Sequence, residues 1–173
     1  MEDSRKIIDK CLEEATTKYE ARLLAYSRGL LKGDLTTAEE VVLFAFAQFY
    51  KQLLEGKDEK IKNVGAWLHT VCRNRVAELV RSGRLPVTVD PTTFDPPGED
   101  KNACELHRDL DDKKRLAFCM DRLSPRQREI VYLKYWEKMK YAEIGELMNI
   151  SANDAGVRMH YALRDLRDCF GME

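Results

Sequence analysis

The stretch from Leu123 to Arg167, LSPRQREIVYLKYWEKMKYAEIGELMNISANDAGVRMHYALRDLR, decides the fold. Apolar residues recur at helical intervals in Ile130, Val131, Leu133 and Tyr135, then in Ile144 and Leu147, then in Val157, Tyr161 and Leu166. Ser124 before Pro125 has the chemistry of an N-cap followed by a first-turn proline. Asn149 can take the left-handed conformation that a tight turn needs, and Ser151 can cap the helix after it. Gly145, four residues before Asn149, lets two helices approach closely, with Ala142 and Ile144 placed toward the core. The pattern is a helix-turn-helix, whose second helix can lie in a major groove with its early side chains against base edges. The competing reading is an ordinary three-helix bundle, which has no need for a small residue and a turn former at this spacing.

The rest of the chain sets that module in context. Its 173 residues suffice for one domain or two small ones, each with a modest core. Charged residues make up 34%, no apolar run approaches the roughly 18 residues that span a bilayer, and MEDSRK is not followed by an apolar stretch. A soluble protein that is not exported is expected, in the cytoplasm. Cys11, Cys72, Cys104, Cys119 and Cys169 are scattered and odd in number, which fits reduced thiols. His69 and Cys72 form an HxxC, and Cys104 and His107 a CxxH, so four zinc ligands could be assembled. Against this, Cys72 falls on an apolar helix face, where a cysteine behaves as a small hydrophobe, and Cys104 lies in an irregular acidic stretch. Neither a metal nor a cofactor is expected. No paired nucleophile and base and no phosphate loop appears, so catalysis is not expected either.

The formal net charge of -1 hides a pattern. Residues 1–85 hold 15 basic and 13 acidic residues, residues 86–112 hold 2 and 8, and residues 113–173 hold 12 and 9. Two mildly basic modules therefore flank an acidic connector. The connector, PVTVDPTTFDPPGEDKNACELHRDLDD, contains four of the five prolines and few large apolar residues. It reads as an extended, flexible linker with a helix beginning near its end. KKRLAFCMDR, residues 113–122, reads as the first helix of the C-terminal module.

The N-terminal module is also helical. Ile7, Ile8, Leu12, Ala15, Tyr19, Leu23, Leu24 and Leu30 follow helical spacing, with Gly33 as a stop. Thr36 or Thr37 can cap the next helix, in which Glu39 and Glu40 suit the positive end of the dipole. Its continuation, VVLFAFAQFYKQLL, is apolar on all sides, so a flank should be covered. After Gly56, the loop KDEKIKN leads into VGAWLHTVCRNRVAELVRSGR. Here Trp67, Leu68, Val71, Val76 and Leu79 mark one face, and Arg73, Arg75 and Arg81 much of the other. Lys60 to Arg84 holds six basic residues and one acidic, an electrostatic footprint for phosphates. A solvated basic face is the simpler alternative.

Together these residues resemble a bacterial sigma factor of the extracytoplasmic-function (ECF, group IV) type. AEEVVLFAFAQFYK (residues 38–51) is similar to the family's helix that docks on the RNA polymerase clamp. AWLHTVCRNRVAELVR (residues 66–81) is similar to its promoter-melting helix, and the segment from Leu123 to Arg167 to the domain that binds the upstream element. The resemblance covers nearly the whole chain. It implies an all-α fold of two small helical domains: residues 1–85, region 2-like, for polymerase docking and recognition and melting of the -10 element; residues 86–112, the linker; and residues 113–173, region 4-like, for -35 binding.

By position, the resemblance makes Glu39, Glu40, Leu43 and Phe44 polymerase-facing. It puts Lys60, Lys62, Asn63, Trp67, Arg73, Asn74, Arg75 and Arg81 against the separated -10 strand. Aromatic or amide groups can hold an unstacked base while arginines hold the backbone. Trp67 reads equally as a core anchor. Lys140, Ser151, Asn153, Arg158 and His160 would meet duplex DNA, with Arg158 foremost. The implied partners are core RNA polymerase, promoter DNA and an anti-sigma factor, for which Leu43, Phe44, Phe46, Phe49 and Tyr50 form a candidate surface.

The chain also departs from the family. Leu43 and Phe44 stand where many members have a Gln and an acid. Gly156 and Tyr161 hold usually basic positions, Asp154 adds a negative charge, and Arg158 is the only full positive charge between Ser151 and Leu163. Lys138 stands where glycine is frequent. Two other functions compete with a sigma factor: a stand-alone helix-turn-helix regulator, and a degenerate sigma-like interaction protein.

Overall fold

Two runs of chain, residues 2–85 and 107–171, are described by the computed structural model, and every regular element in them is helical. They are α1 (Glu2–Leu30), α2 (Leu35–Leu54), a short 3-10 turn (Asp58–Lys60), α3 (Val64–Arg81), α4 (His107–Arg122), α5 (Pro125–Tyr135), α6 (Tyr141–Met148) and α7 (Ala152–Phe170). The helices fall into two compact units, α1 to α3 and α4 to α7. The connector as far as residue 106 lies outside the described residues. The helix expected near its end begins at His107, ahead of the KKRLAFCMDR run.

In the first unit, α1, α2 and α3 pack on one another around Leu23, Tyr26, Leu30, Val41, Leu68 and Val76, all fully or almost fully buried. The chain turns from α1 into α2 through Lys32 and Gly33, both with positive φ (53° and 93°). The cap of α2 is neither Thr36 nor Thr37. Asp34 takes that role, accepting from the Thr37 backbone N–H at 3.1 Å and the Thr37 hydroxyl at 2.7 Å. Aspartate competes well for an N-cap because its carboxylate also meets the positive end of the dipole. The hydrogen bonds from Thr37 hold the Asp34 carboxyl below its ordinary value.

The apolar run in α2 is mostly inward. Val41, Val42, Ala45, Phe46, Phe49 and Leu53 are buried, while Leu43 is 72% exposed. Phe46 and Phe49 are therefore core residues and not part of an open docking cluster. A helix carrying apolar side chains all round is satisfied here by two neighbours, α1 and α3. Gly65, in the first turn of α3, lies under the ring of Tyr19 from α1, where an added Cβ would come within 2.7 Å of the Tyr19 ring edge.

In the second unit, Ser124 caps α5 in a capping box: the Gln127 backbone N–H donates to its hydroxyl at 3.4 Å, and its own N–H donates to the Gln127 carboxamide at 3.0 Å. Asn149 ends α6 with φ 54° and ψ 49°, the left-handed conformation expected of it. Ser151 then caps α7, accepting from the Asp154 N–H at 3.0 Å. Gly145 is buried where α6 meets the turn, with room for nothing larger. Ile144 is fully buried, but Ala142, expected inward, is exposed, since it lies two residues away and on the opposite side of the helix.

The cysteines depart from expectation. Cys119 of α4 and Cys169 of α7 are joined in a disulfide with a Cα–Cα distance of 5.7 Å. Fifty residues separate them in sequence, and only the packing of α4 on α7 brings them together. Spacing alone carried no sign of it. Cys72 is buried as expected, and burial pushes its thiol up to about 12. Among the described residues no cluster of His, Cys, Asp and Glu could hold a metal ion. Cys104 and the His107 side chain lie outside the described residues, and His69 is a core residue whose Nδ1 sits 2.8 Å from the Gly65 carbonyl. No described helix is long and apolar enough to cross a membrane.

Candidate nucleic-acid interface

Helix α3 begins at Asn63, whose carboxamide accepts from the Ala66 N–H at 3.1 Å. Asn63 thus has a capping job whatever else it touches. Lys60 and Lys62 are exposed in the loop just before it. Along α3 the arginines expected on one face separate. Arg73 turns toward α1, its guanidinium 3.5 Å from the Tyr26 hydroxyl. Arg75 turns the other way, toward α2, where its guanidinium sits 4.4 Å above the Phe44 ring, a cation–π geometry. Residues two apart on a helix point about 200° apart, so the two cannot share a surface.

A groove of about 450 to 500 Å³ is too large a description for the α2–α3 cleft; its volume is about 410 Å³, and it is lined by Phe44, Gln48, Trp67, Asn74, Arg75 and Arg81, among others. Four expected strand-binding residues, Trp67, Asn74, Arg75 and Arg81, are therefore brought together, and Arg73 is left out. Trp67 does both jobs assigned to it: it packs against buried Phe49, ring centroids 6.1 Å apart, and its remaining surface lines the cleft. Gln48 is an addition that periodicity did not reveal. Arg75 also donates to the Glu78 carboxylate at 2.8 Å, which holds its guanidinium over the ring. An aromatic face, amides and guanidinium groups around an open cleft suit an unpaired base and its phosphate.

The four polymerase-facing candidates do not share one surface either. Glu39 and Leu43 line a separate apolar groove of about 530 Å³ between α1 and α2, with Leu12, Leu24, Phe46 and Tyr50. Glu40 is exposed, and Phe44 belongs to the cleft with Arg75.

In the second unit, α6 and α7 form the helix-turn-helix. Asn153, Asp154, Val157, His160 and Tyr161 are exposed along α7, while Ala155, Met159 and Ala162 are buried against the unit. Lys140 is exposed at the start of α6, and its backbone N–H donates to the Glu143 carboxylate at 2.8 Å. Arg158 is half-buried and lies toward the start of α5, in a surface depression with Arg126, Gln127, Tyr161, Arg164 and Asp165. Arg126 and Arg164 were not among the expected contacts. Arg126 precedes the helix-turn-helix in sequence, and Arg164 lies beyond the turns of α7 that usually meet a groove, so only the fold unites them with Arg158.

Residues 113–166 match the family described as Sigma-70, region 4. The chain is 28% identical over 139 residues to the ECF RNA polymerase sigma factor SigK of Mycolicibacterium vanbaalenii, covering 78% of this chain and 69% of that protein. It is 29% identical to the ECF RNA polymerase sigma factor SigL of Mycobacterium tuberculosis, covering 79% and 76%. To the RNA polymerase sigma-E factor of Streptomyces antibioticus it is 28% identical, covering 90% and 82%. The C-terminal unit is therefore a sigma-70 region 4 domain, and the chain that carries it is a sigma factor of the ECF type.

Proposed function

We propose that this chain binds core RNA polymerase and directs promoter-specific transcription initiation, reading a two-part promoter with its two helical units. The observation that carries the reading is the region 4 match over the α5–α7 helix-turn-helix, in a chain whose likeness to named sigma factors extends through the N-terminal unit. It is not itself an enzyme; the polymerase supplies the chemistry.

The first unit serves as the region 2-like part. The α2–α3 cleft, with Trp67, Asn74, Arg75 and Arg81, takes the separated strand of the -10 element, and Lys60 and Lys62 hold its backbone. The α1–α2 groove, with Glu39 and Leu43, faces polymerase. The second unit meets the -35 duplex through Lys140, Ser151, Asn153, Arg158 and His160. The reading extends to group IV membership, to a place in the cytoplasm with polymerase, and to an anti-sigma partner covering Leu43 and its neighbours.

Run-off transcription with purified core polymerase, the full chain and a promoter library tests this. Discrete start sites dependent on the chain are expected. Binding to core with no transcript from any promoter would instead favour the degenerate interaction protein. Duplex binding with no affinity for core would favour a stand-alone regulator.

A further inference from the structure

The face of α7 that should approach DNA is close to neutral. Its first three turns carry one cation, Arg158, and one anion, Asp154, in the stretch from Ser151 to Leu163. Duplex DNA presents phosphates on both sides of a groove, and affinity at physiological salt depends on how many of them a protein neutralises. Charge for this unit must come from beside the reading helix.

We propose that Arg126 of α5 and Arg164 of α7 form a phosphate-contacting edge along the recognition helix, with Tyr161 and Arg158 between them. The inference rests on the duplex-binding role given to this unit above. Arg126, Arg158, Tyr161 and Arg164 line one depression with Gln127 and Asp165, and the side chain of Arg164 is 57% exposed. Three guanidinium groups against one carboxylate leave the depression net positive.

The edge is held in place by the fold. Gln127 donates to Asp165 at 2.8 Å, locking the first turn of α5 onto α7 and fixing where Arg126 emerges. The Arg164 guanidinium lies 5.0 Å from the Tyr161 ring centroid, which restrains a long side chain before any phosphate arrives. Its contact with Asp165, at 3.4 Å between sequence neighbours, is an exposed pair of little net worth and yields easily to a phosphate. The depression also runs into the exposed side of α7 at Tyr161, so one duplex can meet Asn153, His160 and both outer arginines. Planar guanidinium groups match phosphate oxygens two at a time.

The test uses full-length chain assembled with core polymerase and a promoter fragment, its affinity measured across a series of salt concentrations. For the R126A/R164A variant the slope of log affinity against log salt is expected to fall by about 2, roughly 0.9 for each phosphate released. The loss should be the same on fragments with intact and scrambled -35 sequence, and R126K/R164K should retain most of the slope. Unchanged helical circular dichroism verifies that the variant is folded. An unaltered slope, or a loss confined to particular base positions, overturns the inference while leaving the sigma-factor reading intact. Failure of the unmutated holoenzyme to bind or transcribe any promoter overturns both.

Discussion

A Cβ placed on Gly145 would lie 2.7 Å from the carbonyl oxygen of Ile150, closer than carbon and backbone oxygen can approach. The Ile150 N–H donates to the Gly145 carbonyl at 2.9 Å, so the turn between α6 and α7 is folded directly onto this residue. Gly145→Ala must push the turn away and shift α7. A cost of about 1–3 kcal/mol is expected from such overpacking, read by urea denaturation. Gly156 supplies the control, since nothing lies within 4 Å of an added Cβ there. Gly156→Ala should instead stabilise the helix by up to about 1 kcal/mol.

The Cys119–Cys169 bridge closes a loop of some fifty residues around α5, α6 and most of α7. Cys169→Ser, or full reduction, should destabilise the C-terminal unit by about 2–4 kcal/mol. Amide exchange should quicken in α4 and α7, and the amides of α1 to α3 should not change. Equal loss of protection in both units would contradict this.

Asp34 offers a pH signature. Its carboxyl is held below the ordinary value of 3.8 by hydrogen bonds from Thr37. A depressed folded value means that the cap's contribution is complete above the ordinary carboxylate range and is lost as pH falls through the lowered value. Asp34→Ala should cost about 1 kcal/mol at neutral pH. The difference between variant and parent should shrink on acidification below 3.8, as followed by chemical denaturation at a series of pH values.

Arg158 faces the start of α5, whereas Asn153 stands exposed in the first turn of α7. Arg158→Ala is therefore expected to weaken upstream DNA binding by about 1–3 kcal/mol with little change in sequence preference, and Asn153→Ala to relax preference at one base position. Footprinting of the holoenzyme on -35 variants separates the two. A strongly position-dependent loss for Arg158→Ala would return it to the role of base reader expected from sequence.

Local chemistry made much of this fold legible. Ser124–Pro125, Asn149 and Ser151 mark helix ends through interactions spanning a few residues, and each stands where its side chain predicts. Periodicity was less informative wherever a helix has two neighbours. The run in α2 could not reveal that Phe46 and Phe49 point inward while Leu43 points out, because all are apolar. Nor could α3 show which helix each arginine would meet, so Arg73 and Arg75 were assigned a common surface that they do not have. Pairings between distant residues, Cys119 with Cys169 and Arg126 with Arg164, exist only once the helices are packed.

The bridge between α4 and α7 has a mechanical consequence. Tension applied between the start of α4 at His107 and the end of α7 crosses from Cys119 to Cys169 through the sulfur bond, because that is the shorter covalent route. The intervening turns, including the helix-turn-helix, are thereby shielded from load. A polymerase that strains the connector during initiation would stretch the chain up to Cys119, and the DNA-reading part would keep its shape.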